Sequence, residues 1–357
     1  MSDKEKRKTK RTKATVKKEF GKGLDVGTAF IYCAEREKGN IVFRSQRDAF
    51  FDIEPGDYTK KMLNKTGVKY IEKDESLYVI GDEAMEMANI FHRELRRPLR
   101  KGVISPSEKE SLPMIELIIQ SVIGRPKCKE EIIYYSVPAA PLDADYNIIY
   151  HENIVKRFLE KAGYTPKPIN EGMGIIFSEL ADEEFTGIGI SFGAGMVNMC
   201  LSYISVPVVT FSLTKSGDWI DEQVGIALGE TASRVCEVKE KSLDLTDVKI
   251  QSRIETALTI YYDNLIDYVL KSIKQEFDNN PKMPRLTKPV TLVISGGTTM
   301  PKGFLVKFNK ALSQVKFPME IGKVKMASSP LYAVAKGALV AAITDEERLE
   351  GGTRALV

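Results

Sequence analysis

Three strand-like runs in this chain each end in a turn built of glycines and small residues. Gly23-Leu24-Asp25-Val26-Gly27-Thr28 follows a basic tail, Ser191-Phe192-Gly193-Ala194-Gly195 lies mid-chain, and Ser295-Gly296-Gly297-Thr298-Thr299-Met300-Pro301 follows the apolar run 290–294. Such turns let backbone N–H groups approach an anion with no Cβ in the way. One of them reads equally well as a tight hairpin. Three, each at a strand end, point to a split nucleotide site.

The 357 residues suffice for about two domains with ample core. Net charge is +3, but residues 1–19 carry nine Lys/Arg against three acidic residues, which leaves the rest at −3. The basic pI is therefore not the property of a DNA-binding surface. Cys33, Cys128, Cys200 and Cys236 form no Cys-x-x-Cys pair, and only His92 and His151 accompany them. That set argues against a zinc site and fits a reducing compartment. Phe185 to Thr214 contains no charged residue and is long enough to cross a bilayer. Its glycines, Asn198, Ser202 and Pro207 instead divide it into short β-rich runs, 187–192, 196–204 and 206–213, which read as a buried meander. The basic N-terminus has no apolar segment of the secretory kind, so a cytoplasmic location with no transmembrane segment is expected.

Along the chain, strands are predicted at 29–35, 40–44, 77–80 and 132–137, and helices at 108–123, 145–162, 250–277, 304–313 and 330–343. A meander opening on a glycine turn recurs near residues 21 and 187. The expected architecture is a duplicated α/β fold with its ligand between the halves.

At these residues the chain resembles the actin/heat-shock-chaperone/sugar-kinase ATPases. The three turns are similar to that family's first phosphate, second phosphate and adenosine motifs. Asn170-Glu171-Gly172-Met173-Gly174-Ile175 and the segment Pro330 to Ala338 resemble its two connecting helices. The segments 78–84, 97–104 and 213–222 are most like prokaryotic actins of the MreB and MamK kind. The resemblance implies two duplicated RNase H-like domains of the actin-like fold with a nucleotide cleft between them. The basic tail at 1–19 lacks apolar periodicity and reads as disordered; the resemblance implies a first domain of 20–168 plus 330–350 and a second of 169–329. A small outer subdomain at about 45–125 and a flexible C-terminus at 351–357 complete the division.

The resemblance also assigns roles. ATP or ADP with Mg²⁺ is the implied cofactor, Asp25 the residue on the Mg²⁺ side, and Gly27, Thr28, Gly193, Ala194 and Gly195 the phosphate cradle. Gly217, Lys239, Glu240, Gly296, Gly297 and Thr298 fall on the nucleoside side. Glu171 stands where a catalytic or water-positioning carboxylate is found, and Asp145 is a second candidate. Simpler readings exist for several: Asp25 caps its turn, Asp145 opens a helix, and Lys239–Glu240 is a solvated charge pair. Ser191 and Met196 depart from the family's usual Asp and Thr, so slow hydrolysis is expected. The implied function is nucleotide-controlled polymerisation, with self as partner. A non-polymerising, chaperone-like switch is the alternative, and a sugar or acetate kinase is the third reading. The tail, residues 4–18, reads as a solubilising arm or as a weak, salt-sensitive contact to anionic membrane or nucleic acid.

Overall fold

The structure is a computed structural model and describes residues 19–354, apart from 69, 92, 94, 109, 247–251, 282, 285 and 287. The basic tail and the expectations placed on it lie outside the described residues. The chain opens with β1 (Lys22–Val26), β2 (Phe30–Glu37) and β3 (Asn40–Arg47). A small outer unit follows: β4 (Phe50–Ile53), α1 (Asp57–Thr66), β5 (Tyr70–Lys73), β6 (Ser76–Ile80), α2 (Asp82–Ile90), β7 (Leu99–Arg100) and β8 (Val103–Ile104). Then come α3 (Ser111–Ile123), β9 (Ile132–Val137), α4 (Ile149–Lys161), β10 (Thr165–Asn170) and α5 (Glu171–Glu179). The second half holds β11 (Gly187–Phe192), β12 (Val197–Tyr203), β13 (Val206–Leu213), α6 (Gly217–Leu228), α7 (Ala232–Lys241) and α8 (Arg253–Asn279). It ends with β14 (Val290–Ser295), α9 (Phe304–Leu312), β15 (Ile321–Met326) and α10 (Ala333–Arg354).

The two large sheets have the same topology. One runs β10-β9-β1-β2-β3 and the other β15-β14-β11-β12-β13. In each, three strands form an antiparallel meander and two more join in parallel. This is the duplicated fold expected. The outer strand of the first sheet escaped the sequence reading because Pro166 and Pro168 deny it strand character. An edge position tolerates them, since an edge strand needs ladder bonds on one side only.

The uncharged stretch becomes β11–β13, and no helix among the described residues is long and apolar enough to cross a membrane. Alternation along β11 explains its composition. Ile188, Ile190 and Phe192 face a core shared with α6, α8 and α9. On the opposite face Gly189 lies against α5, where a Cβ would overlap the Gly172 carbonyl. Helices α5 and α10 pack together between the two sheets, α10 on β1 and β9 and α5 on β11 and β12.

Several helix boundaries differ from expectation, and α3 starts at Ser111 rather than 108. Helix α4 starts at Ile149 rather than 145, so Asp145 caps nothing and sits exposed in irregular chain. Helix α8 starts after Ser252, which forms a capping box with Glu255; the predicted start at 250 lies outside the described residues. Helix α10 continues past 343, to Arg354.

His151 on α4 is 1 % exposed, and neither ring nitrogen has a hydrogen-bond partner among the described residues. Burial pushes its pKa down to about 4. The folded state thus holds the neutral ring, while the unfolded chain takes up a proton near pH 6.5. The stability this confers is complete above that pH and is lost as pH falls towards 4. Between pH 7 and pH 4.5 the loss from this one group should be about 2 kcal/mol. Denaturant unfolding of His151→Leu at both pH values should show a pH dependence smaller by that amount; an unchanged dependence would contradict it.

Candidate functional site

The ends of β1, β11 and β14 meet at one cavity of about 720 Å³ between the two halves, a size suited to a cofactor. Asp25, Gly27 and Thr28 line it from the first turn, Ser191, Gly193, Ala194 and Gly195 from the second, and Gly296, Gly297 and Thr298 from the third. Glu171, Lys239 and Glu240 complete the set. Gly217 supports the lining from behind: its N–H donates to the Gly193 carbonyl (3.3 Å). Asp145 is not among the lining residues.

The two hairpin turns close in the same way. Gly27 N–H donates to Phe30 O (3.1 Å), and Gly193 N–H donates to Met196 O (3.0 Å). These two amides are engaged within their own turns. The free amides of the second turn are those of Ala194 and Gly195, which bond to nothing among the described residues. The third turn is shaped by Gly296, whose φ of +103° is open to glycine and whose Cβ would overlap the Phe192 carbonyl. Its N–H and the Ser295 hydroxyl both donate to Pro330 O (3.0 and 2.7 Å), tying the turn to the start of α10.

Lys239 is not solvated. Its ammonium is held by Asp221 (2.6 Å) and by the Gly217 carbonyl (3.1 Å). Glu240 takes Arg47 of β3 across the cleft (3.0 Å). Phe30, Tyr32, Leu331 and Tyr332 give this end of the cavity an apolar, aromatic wall, with Tyr32 and Tyr332 edge to face at 5.2 Å.

Beside this wall, where Asp25 pairs with Tyr32 across the β1–β2 ladder, two carboxylates confront each other. Burial raises the Asp25 pKa, against the Ser136 hydroxyl that donates to its Oδ1 (2.8 Å). Glu171, first residue of α5, is raised by burial and then by the Asp25 charge, with Ser191 and Asn198 acting in the opposite sense. Ser136 and Asn198 were invisible as site residues in the sequence. They come from β9 and β12, in segments with no motif, and only pairing of the strands delivers them here. Among the described residues no group of three or more His, Cys, Asp or Glu side chains is arranged to hold a metal ion. A Mg²⁺ ion suits the site as a hydrated ion carried by phosphates, because it keeps its water and would relieve the repulsion between Asp25 and Glu171.

Comparison with solved structures finds the same fold over nearly the whole chain. A MamK double helical filament superposes with a TM-score of 0.67 at 18% identity, covering 90% of this chain and 98% of that one. MreB 5 of Spiroplasma citri bound to AMPPNP gives 0.64 at 17% identity, covering 94% and 99%. The ethanolamine utilization protein EutJ from Carboxydothermus hydrogenoformans gives 0.54 at 11%, covering 92% and 91%. These likenesses establish the actin-like fold. A search of curated protein sequences finds no match. The family model named Volactin matches residues 20–342, and the chain belongs to the Volactin family.

Proposed function

We propose that this chain is a cytoplasmic, actin-like, ATP-binding cytoskeletal protein that polymerises into filaments under nucleotide control. The observation that carries the reading is the cavity on which three glycine turns from both halves converge, lined also by a carboxylate pair and an aromatic wall. Structures of the fold support it: MamK as a double helical filament, and MreB 5 of Spiroplasma citri bound to AMPPNP and to ADP. The phosphates lie against the amides of Ala194 and Gly195, and the nucleoside lies between the Gly296–Thr298 turn, Lys239–Glu240 and the aromatic wall. Asp25 holds the hydration shell of Mg²⁺, whose chemistry is to neutralise phosphate charge. Glu171 orients a water. Ser191 brings no charge to the metal side, so turnover is slow. The basic tail, residues 4–18, adds a weak contact to anionic membrane or nucleic acid.

Sedimentation and phosphate release followed together test this. Pelleting should begin at a sharp protein concentration that ATP and ADP set differently, because a filament needs a nucleus before it grows. Phosphate release should be slow, and Glu171→Ala should reduce it further while binding persists. A protein that stays monomeric at every concentration, nucleotide and salt would instead be a nucleotide switch acting on a partner.

A further inference from the structure

Three arginines on the first-half side reach carboxylates of α6 and α7 across the cleft. Arg47 meets Glu240 at 3.0 Å, Arg97 meets Asp218 at 2.7 Å, and Arg100 meets Glu222 at 3.4 Å. Arg97 differs from the other two in what lies behind it. Asp48, at the passage from β3 to β4, is fully buried, and neither of its carboxylate oxygens has a well-formed hydrogen bond. Its backbone N–H is anchored on Ala29 O (2.8 Å), so the residue is fixed in the strand framework. Burial raises the Asp48 pKa strongly, and the charge of Arg97, together with the Leu99 backbone, opposes that rise. The antiparallel bridge of Phe50 with Arg96 brings Asp48 alongside Arg97–Leu99, while the Arg97 side chain is engaged elsewhere. A buried carboxylate held by the Leu99 backbone alone, with no cation paired to it among the described residues, is a standing cost that a guanidinium would reduce.

The partner that Arg97 does take is tied to the cavity. Asp218 lies in the first turn of α6, and its N–H donates to Ala194 O in the second glycine turn (2.8 Å). Any movement of that turn moves Asp218. The Asp218 side chain is also partly exposed, so water can satisfy it if Arg97 leaves.

We propose that Arg97 is a two-position latch: it bridges to Asp218 in the closed arrangement seen here, and it returns to Asp48 when the second glycine turn withdraws. Asp48 is then a built-in opening force, because the guanidinium keeps a carboxylate partner in both positions. A cavity occupant that holds the second turn favours Asp218; an empty cavity favours Asp48. That makes a bistable element which one site biases and another part of the molecule reads. The trigger rests on the nucleotide reading above; the exchange of partners does not.

Backbone hydrogen exchange on the full chain, with and without ADP and Mg²⁺, tests both parts. In the nucleotide-free protein Asp48→Asn removes the opening partner, and should slow exchange at 99–104 and 217–221 several-fold. Asp218→Asn removes the closing partner, and should speed exchange at the same amides. Arg97→Gln should speed exchange and make Asp48→Asn silent in its background, an outcome that a merely structural Asp48 would not give. Asp48→Ser, which is smaller, serves if asparagine is not accommodated. Unchanged or faster exchange in folded Asp48→Asn would overturn the latch. If ADP with Mg²⁺ leaves the unsubstituted protein unchanged while Asp48→Asn and Asp218→Asn still act in opposite directions, the latch stands and the nucleotide reading fails.

Discussion

Gly297→Asp is expected to abolish the rise in melting temperature that ATP or ADP with Mg²⁺ gives the unsubstituted protein. A ligand that binds only the folded form stabilises it by mass action, by about 2.7 kcal/mol at a hundred times its Kd. For a chain of this size that is a shift of several degrees. Gly297 is the informative position because its surroundings have room. A Cβ there meets only Leu331 Cδ2 at 3.8 Å, an ordinary contact, and the residue lines the cavity. The substituted protein should therefore fold with a near-normal melting temperature when no nucleotide is present. Its carboxylate places a negative charge and two oxygens where the nucleotide meets the third turn. Gly296 would not serve, because its positive φ and its approach to Phe192 O would confuse misfolding with lost binding. Thermal unfolding with titrated nucleotide reads the result. An undiminished shift in Gly297→Asp would place the nucleotide elsewhere, and no shift in the unsubstituted protein would remove the nucleotide from the proposal.

Gly337→Ala should destabilise the protein by about 3 kcal/mol or more, although it adds one methyl group to a helix that ordinarily favours alanine. Gly337 lies on α10 where that helix crosses α5, and a Cβ would overlap the carbonyl oxygen, carbonyl carbon and Cα of Gly174. These are backbone atoms, so no rotamer change makes space. The helices must separate, and separation loosens Ala333, Val334, Ala338, Ile175 and Ile176 in the core that joins the two sheets. Chemical denaturation of the purified variant, or its failure to accumulate as soluble protein, measures the loss. A value within about 0.5 kcal/mol of the unsubstituted protein would show that the crossing has room for a methyl group.

Much of the architecture was legible because it is written locally. The apolar alternation of β11, the glycine turns after β1, β11 and β14, and the small-residue helices α5 and α10 carry their information within a few residues. Their order along the chain was enough to call a duplicated fold with a cleft. Where local preference and tertiary position disagreed, the reading failed. Thr165–Asn170 holds two prolines yet makes a strand, because the free edge of the β9 ladder accepts it. Asp145 looked like a helix cap, but α4 starts four residues later.

By itself the sequence determined most of the strands and helices, where the anion-accepting turns stand, and that both halves repeat one plan. Those properties follow from backbone conformation and side-chain periodicity, which act over short spans. Tertiary structure alone decided which amides remain free in each turn and which side chains from distant strands face Asp25 and Glu171. It alone decided that Lys239 serves Asp221, and that Arg97 pairs with one carboxylate while a second, Asp48, has no cation paired to it among the described residues. These depend on distances between groups remote in the chain, and electrostatic and hydrogen-bond energies change steeply with such distances while residue order leaves them unspecified.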